Sequence, residues 1–212
     1  MQQPNPNNKN HRLLWIFALS SAIYFTQGIQ ALPSQGLFYY LKENLLYSPQ
    51  KIMVITSITT LAWLIKPLIG YAIDSFLNKR AWIFISVIVD IILSLFLGLA
   101  TLPVFLLVTL LMSTSASAAF RDVTIDGIMC VEGKLYQSTG KIQSIQWASI
   151  SVAGLLTGIG GGFLAEKWGY KGAFLCLIPV YILVGLIAFF FKEHKAQSPG
   201  ERKTLGHDMK RL

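Results

Sequence analysis

The chain has 212 residues, of which 53% are hydrophobic and 13% are charged, and its mean hydropathy is +0.54. This composition is too apolar for an ordinary soluble domain of this size and predicts an integral membrane protein. The net charge of +8 is expected from the Lys and Arg that hold loops on the cytoplasmic side, rather than from a nucleic-acid-binding surface, which needs a basic stripe on a folded polar domain.

Six apolar runs are each long enough to cross a hydrocarbon core of about 30 Å as a helix. We place these spans at residues 13–41, 50–74, 81–100, 104–132, 139–164 and 173–191. The polar stretch 1–12 is expected to be a disordered cytoplasmic tail, and 192–212 a basic cytoplasmic tail. A cleaved signal peptide is the rival interpretation of the first run, but that run is longer than the apolar part of a signal peptide and five more follow. The predicted fold is an all-α membrane domain, residues 13–191, between two tails.

The distribution of Lys and Arg predicts the orientation. If both termini lie in the cytoplasm, twelve of these residues fall on that side and four on the other. The four are Lys42, Lys51, Lys167 and Lys171. We therefore expect a multi-pass protein of the plasma or inner membrane, with both termini cytoplasmic.

Polar residues within the first three spans are candidate site residues, because burying them in a membrane is costly. Gln27 in the first span is expected either to bond to another helix or to contact a solute. Lys66 precedes Pro67, which invites a kink, and its amine is expected either to reach the membrane surface or to contact a partner or ligand. Asp90 lies ~14 Å into the third span, near the midplane. It is expected to be a hydrogen-bonded structural acid or a proton site.

The fourth span carries Arg121, Asp122 and Asp126. Counting from Pro103 at ~1.5 Å per residue places these charges near the cytoplasmic edge of the membrane. Asp122 and Asp126 share one helix face, whereas Arg121 points about 100° away. Either the charges pair with one another as a gate, or they face water and bind a polar solute or a proton.

The same count places several polar residues from three spans in the cytoplasmic third of the membrane. They are Lys66, Arg121, Asp122, Asp126, Gln143 and Gln146. We expect them to form one polar layer, in which Lys66 pairs with Asp122 or Asp126. In the fifth span, Gly154, Gly158 and Gly162 recur at four-residue spacing, which predicts a close helix-packing face.

Catalysis is not expected from this sequence. The three histidines lie in the tails, and no Cys/His spacing is typical of a metal site. Cys130 and Cys176 fall near opposite membrane faces, so no disulfide is expected between them. We expect no metal, no cofactor and no nucleic-acid partner.

Several short motifs occur in a characteristic order. They are Tyr24-Phe-x-Gln27-Gly28, Trp63-x-Ile65-Lys66-Pro67-Leu68-x-Gly70, Asp122-Val-x-Ile-Asp126-Gly127 and Gln143-Ser144-x-x-Trp147. Together they resemble the folate-biopterin transporter family of the major facilitator superfamily. The group Gly70, Asp74, Lys79 and Arg80 resembles the loop signature of the wider superfamily. Arg121 departs from the family pattern, which usually has a small polar residue at this place.

The resemblance implies half of a major facilitator fold. That fold has twelve spans in two halves, and each half consists of two inverted three-helix repeats. This chain resembles the amino-terminal six-helix half. A second half is then expected from another polypeptide or from a second copy in a homodimer.

The resemblance also implies a function, namely secondary transport of a folate, a pteridine or another small organic solute by alternating access. Asp126 would accept hydrogen bonds from a pterin edge, Trp63 or Trp147 would stack on its ring, and Lys66 or Arg121 would hold a glutamate tail. Asp126 would alternatively carry a coupling proton. The alternative function is a non-transporting membrane scaffold, or a truncated remnant of a split transporter gene.

Overall fold

Helices account for all of the regular structure in the part of the chain that the structure describes. A computed structural model describes residues 6–191, with side chains from residue 10 onward. The elements are α1 (Pro6–Ile29), α2 (Ser34–Tyr39), a π-helical turn (Tyr40–Asn44), α3 (Pro49–Thr60), a 3₁₀ turn (Leu61–Ile65), α4 (Lys66–Ser75), α5 (Lys79–Leu99), α6 (Val104–Tyr136) and α7 (Thr139–Phe190). The predicted tail 192–212 lies outside the described residues.

Within residues 6–191, five helical stretches are long and apolar enough to cross a membrane. They are Asn10–Asn44, Pro49–Ser75, Lys79–Leu99, Val104–Tyr136 and Thr139–Phe190. The chain is therefore a multi-pass helical membrane protein. The first four stretches correspond to the first four predicted spans, and the fifth covers both the predicted fifth and sixth spans.

Helix α7 is interrupted at Gly169, where φ is +61° and ψ is −168°. Glycine adopts this backbone conformation without the steric penalty that other residues pay. Before the interruption, α7 runs alongside α1 in the same direction. Ser21 Oγ lies 2.7 Å from Ser149 Oγ, and the Gln35 amide donates to the carbonyl oxygen of Gly158 at 3.3 Å.

After Gly169, the contacts with the first stretch, Asn10–Asn44, run in the opposite order. The Tyr170 ring lies 4.7 Å from the Tyr40 ring between centroids, whereas Phe190 lies 6.0 Å from Trp15. The chain therefore turns back on itself at Gly169. We call this end of the bundle the Gly169 end.

The opposite end of the bundle is organised around Arg12. Its guanidinium forms an ion pair with Glu132 at the end of α6 and lies 5.0 Å above the ring of Phe191. We call this the Arg12 end. The prediction that residues 1–12 are disordered is wrong for the described part, because α1 already begins at Pro6 and Arg12 is held by these two partners.

The second stretch changes helix type just before Pro67. A 3₁₀ turn occupies Leu61–Ile65, and α4 begins at Lys66. Proline lacks the backbone N–H that would donate to the carbonyl oxygen four residues earlier, and its ring clashes with that carbonyl. A regular α-helix therefore does not continue through it. The change places the Lys66 amine 4.5 Å above the ring of Trp63.

Close packing of α1 against α7 depends on Gly28. A Cβ atom there would lie 2.6 Å from Ala153 Cβ and 2.6 Å from the carbonyl oxygen of Ile150. At Gly154 and Gly158, by contrast, a Cβ atom would meet no described atom within 4 Å. Gly28 therefore makes a close contact between α1 and α7. The predicted glycine face of α7 is open at Gly154 and Gly158, whereas a Cβ atom on Gly162 would lie 3.2 Å from Gln35 Oε1.

This difference predicts opposite effects of two similar substitutions. Gly28→Ala should lower the free energy of unfolding by about 1–3 kcal/mol, because the added methyl group overpacks the α1–α7 contact. Gly154→Ala is the matched control and should leave it unchanged or raise it, since alanine is the better helix former. Thermal unfolding in detergent measures both, and equal loss of stability in the two variants would contradict the packing.

Candidate functional site

Two carboxylates one turn apart on α6 face α1. The Gln27 amide donates to Asp122 Oδ1 at 2.6 Å, and the Tyr24 hydroxyl donates to Asp126 Oδ1 at 2.9 Å. The i, i+3 spacing of the two donors on α1 matches the i, i+4 spacing of the acceptors on α6. Tyr24 was not predicted as a site residue, although its spacing from Gln27 within one motif was the available signal.

Lys66 joins α4 to the same group. Its amine lies 2.5 Å from Asp122 Oδ2 while it also lies above the Trp63 ring. The side chain of Asp122 is 7% exposed and that of Lys66 is 38% exposed. We call Tyr24, Gln27, Trp63, Lys66, Asp122 and Asp126 the carboxylate site.

The two carboxylates of the site have different partners. Asp122 accepts from a cationic amine and from an amide. Among the described contacts, Asp126 accepts from the neutral hydroxyl of Tyr24. A carboxylate offers about four lone-pair positions, so Asp126 retains acceptor capacity for a further donor.

The carboxylate site lies where the end of α1 meets α6. Asp122 contacts Gln27, which lies near the end of α1 and in the middle of the longer stretch Asn10–Asn44. Helix α6 has 33 residues and is about 50 Å long, which exceeds the ~30 Å of the hydrocarbon core. The position of these charges near the cytoplasmic edge of the membrane, which comes from counting from Pro103, stays a prediction.

Arg121 lies outside the carboxylate site. It forms an ion pair with Asp90 on α5, and both side chains are fully buried. Its guanidinium also lies 5.4 Å from the centre of the Tyr181 ring. Successive helical residues point about 100° apart, so Arg121 faces α5 and α7 while Asp122 faces α1. Its long side chain also leans toward the start of α6, which brings it to the level of Asp90.

Three predicted residues on α7 are not joined to the carboxylate site by any contact that the structure describes. Gln143 and Trp147 are exposed, and Gln146 is buried. The predicted polar layer therefore divides. Lys66, Asp122 and Asp126 meet α1 at the carboxylate site, and Arg121 pairs with Asp90 on α5. The two glutamines of α7 lie apart from both groups.

Residues of the predicted loop signature lie at the Arg12 end. The Lys79 amine donates to the carbonyl oxygen of Gly127 at 3.2 Å, and Arg80 donates to a backbone carbonyl near the end of α7. A Cβ atom on Gly127 would lie 3.1 Å from Lys79 Cε, so glycine gives the lysine room to approach. Gly70 lies inside α4, and Asp74 is exposed near its end. The two basic residues thus connect the start of α5 to α6 and α7.

Comparison with known proteins gives a family and several relatives. The model of the BT1 family matches residues 27–209. Probable folate-biopterin transporter 4 of Arabidopsis thaliana is 28% identical over 76% of this chain and 34% of its own length. Probable folate-biopterin transporter 5 of the same plant is 26% identical over 93% of this chain and 42% of its own length.

A bacterial protein is also similar. The folate-biopterin transporter of a Synechocystis strain is 23% identical over 84% of this chain and 37% of its own length. The chain thus spans less than half the length of these relatives. No solved structure gives a significant match.

The buried pair of Arg121 and Asp90 predicts strong coupling between the two residues. Arg121→Met should destabilise the protein by about 3–5 kcal/mol, because Asp90 is left buried without its cation. The double variant Arg121→Met/Asp90→Leu should recover most of this loss, since no charge is then left unpaired.

Thermal unfolding in detergent gives both values, and Lys167→Met, which removes an exposed cation, is the control. The single variant Asp90→Leu is measured as well. If the losses of stability in Arg121→Met and Asp90→Leu simply add in the double variant, the pairing is contradicted.

Proposed function

The chain belongs to the BT1 family, and on that membership we propose that it is one six-helix half of a secondary transporter for a pterin-containing or similar organic solute. The observation that carries the proposal is the carboxylate site, where two acidic residues of α6 meet a lysine and two neutral donors near the end of α1. Ionisable residues within membrane helices mark solute or proton pathways. A scaffold without transport activity does not need them, so we do not propose that alternative.

The interruption of α7 supports the proposal of six crossings. An unbroken helix of 52 residues would be about 78 Å long, which is more than twice the hydrocarbon core. The turn at Gly169 divides α7 into two antiparallel parts, each long enough for one crossing. An even number of crossings places both termini on the same side, and the excess of Lys and Arg favours the cytoplasm for that side.

The position of the site fits two inverted three-helix repeats. In such an arrangement α1 and α6 are equivalent, because each opens one repeat, and transporter sites lie where the repeats meet. The bonds from Gln27 to Asp122 and from Tyr24 to Asp126 join these two helices. This supports alternating access in which the two repeats shift against each other around the carboxylates.

The residues of the site have distinct proposed roles. Asp126 accepts hydrogen bonds from the amino-substituted edge of a pterin, and Trp63 stacks on the ring. The bond between Lys66 and Asp122 joins α4 to α6 and acts as a gate that opens when the solute binds. Asp126 is the better proton site, because Asp90 is already neutralised by Arg121.

A second half is proposed to complete the solute pathway. The relatives are more than twice as long as the matched region, and the glycine face of α7 is open at Gly154 and Gly158. Small residues at four-residue spacing allow helices to approach closely in membranes. We therefore place the second six-helix half, or a second copy of this chain, against this face.

Transport is tested by uptake of labelled biopterin and folate into cells that express the chain alone or with a second half. Asp126→Asn should reduce uptake by about tenfold or more, because a hydrogen bond to a charged group contributes ~1.5–3 kcal/mol. Glu166→Gln, an exposed site on α7, should have no effect. Absence of uptake both by the chain alone and by the chain with a second half would overturn the transport proposal. Normal uptake by Asp126→Asn would overturn the role of that residue.

Assembly is tested at the open glycine face. Gly158→Leu should abolish association with the second half or second copy, because the larger side chain holds the helices apart. It should leave thermal unfolding of the chain unchanged, since no described atom lies within 4 Å of the new Cβ.

Chemical cross-linking in membranes followed by mass determination measures the association. Gly140→Leu is the control, because this glycine also has open space around it but lies about 27 Å away along α7. Association that survives Gly158→Leu would place the partner elsewhere.

A further inference from the structure

A cavity lies next to the carboxylate site, toward the Gly169 end. It has a volume of about 170 Å³, and it is lined by residues of the turn after α1 and of α2, α3, α5, α6 and α7. Its polar lining includes side chains from this turn and from three of these helices, namely Gln30, Thr56, Ser94, Thr114 and Ser115. A dry cavity between membrane helices would be lined by apolar groups alone, so this lining points to a polar occupant.

The lining offers mainly hydrogen-bond acceptors. The hydroxyls of Thr56 and Thr114 donate to carbonyl oxygens of their own helices, those of Ile52 and Leu111. The Gln30 amide nitrogen donates to the carbonyl oxygen of Thr114 at 3.3 Å. Each of these side chains then retains an oxygen with free lone pairs. A ligand that carries O–H or N–H donors would satisfy them.

Ser94 gives a second, independent indication of a ligand. Its side chain is only 1% exposed, and its Oγ makes no well-aligned hydrogen bond within the part of the chain that the structure describes, although the Tyr181 hydroxyl lies near it. A buried hydroxyl without a well-aligned partner destabilises the fold. Ser94 lines the cavity, so a ligand there is within reach of it.

No charged side chain lines the cavity among the described residues. The nearest ion pair, Arg121 with Asp90, is neutral as a unit, and Arg121 contacts the Tyr181 ring that forms part of the wall. A carboxylate placed in the cavity would lose its water without gaining a cation, which costs several kcal/mol. The group that binds there is therefore uncharged.

The cavity and the carboxylate site share α6 and meet at the end of α1. On α6, Ser115 and Asp122 are seven residues apart, which places them on the same face about 10 Å from each other. Gln27 lies near the end of α1, and Gln30 follows three residues later in the turn after this helix. A single elongated solute spans both places.

We propose that this cavity is a second subsite of the solute pathway, and that it takes an uncharged, hydrogen-bond-donating substituent. The inference rests on the proposed function and specifies its substrate class. A cavity of about 150 Å³ in another protein holds one benzene molecule, so there is room for a short hydroxylated chain. Biopterin carries such a chain, whereas folate carries a benzoylglutamate that is both larger and anionic. The chain therefore selects biopterin over folate.

Cysteine protection tests the subsite without requiring transport. Ser115→Cys is introduced into a chain with Cys130→Ser and Cys176→Ser, and alkylation by uncharged N-ethylmaleimide is measured in membranes. Biopterin at ten times its dissociation constant should slow the alkylation about tenfold, in proportion to occupancy, and folate should not. Thr109→Cys on the exposed face of α6 should react equally fast with and without ligand.

The possible results separate this inference from the proposed function. Alkylation of Ser115→Cys that biopterin does not slow, or that folate slows equally, overturns the subsite even if uptake is observed. Protection by biopterin alone supports the subsite even if the chain needs a second half for uptake.

A second variant guards against a disturbed fold at Ser115. Thr114→Val preserves the shape of the side chain and removes its acceptor oxygen, so it should weaken biopterin binding about two- to tenfold. Thr109→Val should leave binding unchanged. Equal binding by Thr114→Val and the unaltered chain contradicts the hydrogen bond proposed for Thr114.

Discussion

Charged groups inside a membrane bundle have to find partners, because hydrocarbon offers no water to stabilise them. In this protein the constraint is met in two different ways on one helix. Arg121 and Asp90 form an ion pair in the core, with both side chains fully buried. One residue further along α6, Asp122 takes a lysine and an amide, and its pair with Lys66 is partly exposed. The first arrangement is suited to holding helices together, and the second to exchanging partners.

This division of charge has a consequence for the solute. With Arg121 committed to Asp90, the carboxylate site contains one cation and two acidic residues. The neighbouring cavity adds acceptors and, among the described residues, no charge. We propose that both features favour a neutral solute rich in donors over an anionic one, because Arg121 is paired with Asp90 and does not face the carboxylate site.

Much of the site was accessible from the sequence, and the errors have identifiable physical causes. Polar residues in apolar runs identified Gln27, Lys66, Asp122 and Asp126, because their burial is costly without a role. The placement of Arg121 with them was an error of direction, because its side chain faces α5 and α7. Counting residues along α6 also ignored the length and lean of an arginine side chain.

The glycines show the same limit. Four-residue spacing on α7 indicated a packing face, but Gly154 and Gly158 are open, whereas Gly28 on α1 makes a contact with α7 that excludes a methyl group. Sequence spacing reports which residues share a face of a helix. It does not report which neighbouring helix, if any, meets that face.

The sequence by itself determined the membrane-spanning helical class, the family resemblance and most of the polar residues that form the site, because hydropathy, helical period and motif spacing are local properties. Only the tertiary structure decided the partners. It paired Arg121 with Asp90, brought Tyr24 to Asp126, turned α7 back at Gly169 and enclosed the hydroxyl-lined cavity. Each of these depends on how separate helices are placed against one another, which is a property of packing between distant segments and is not present in any single stretch of the chain.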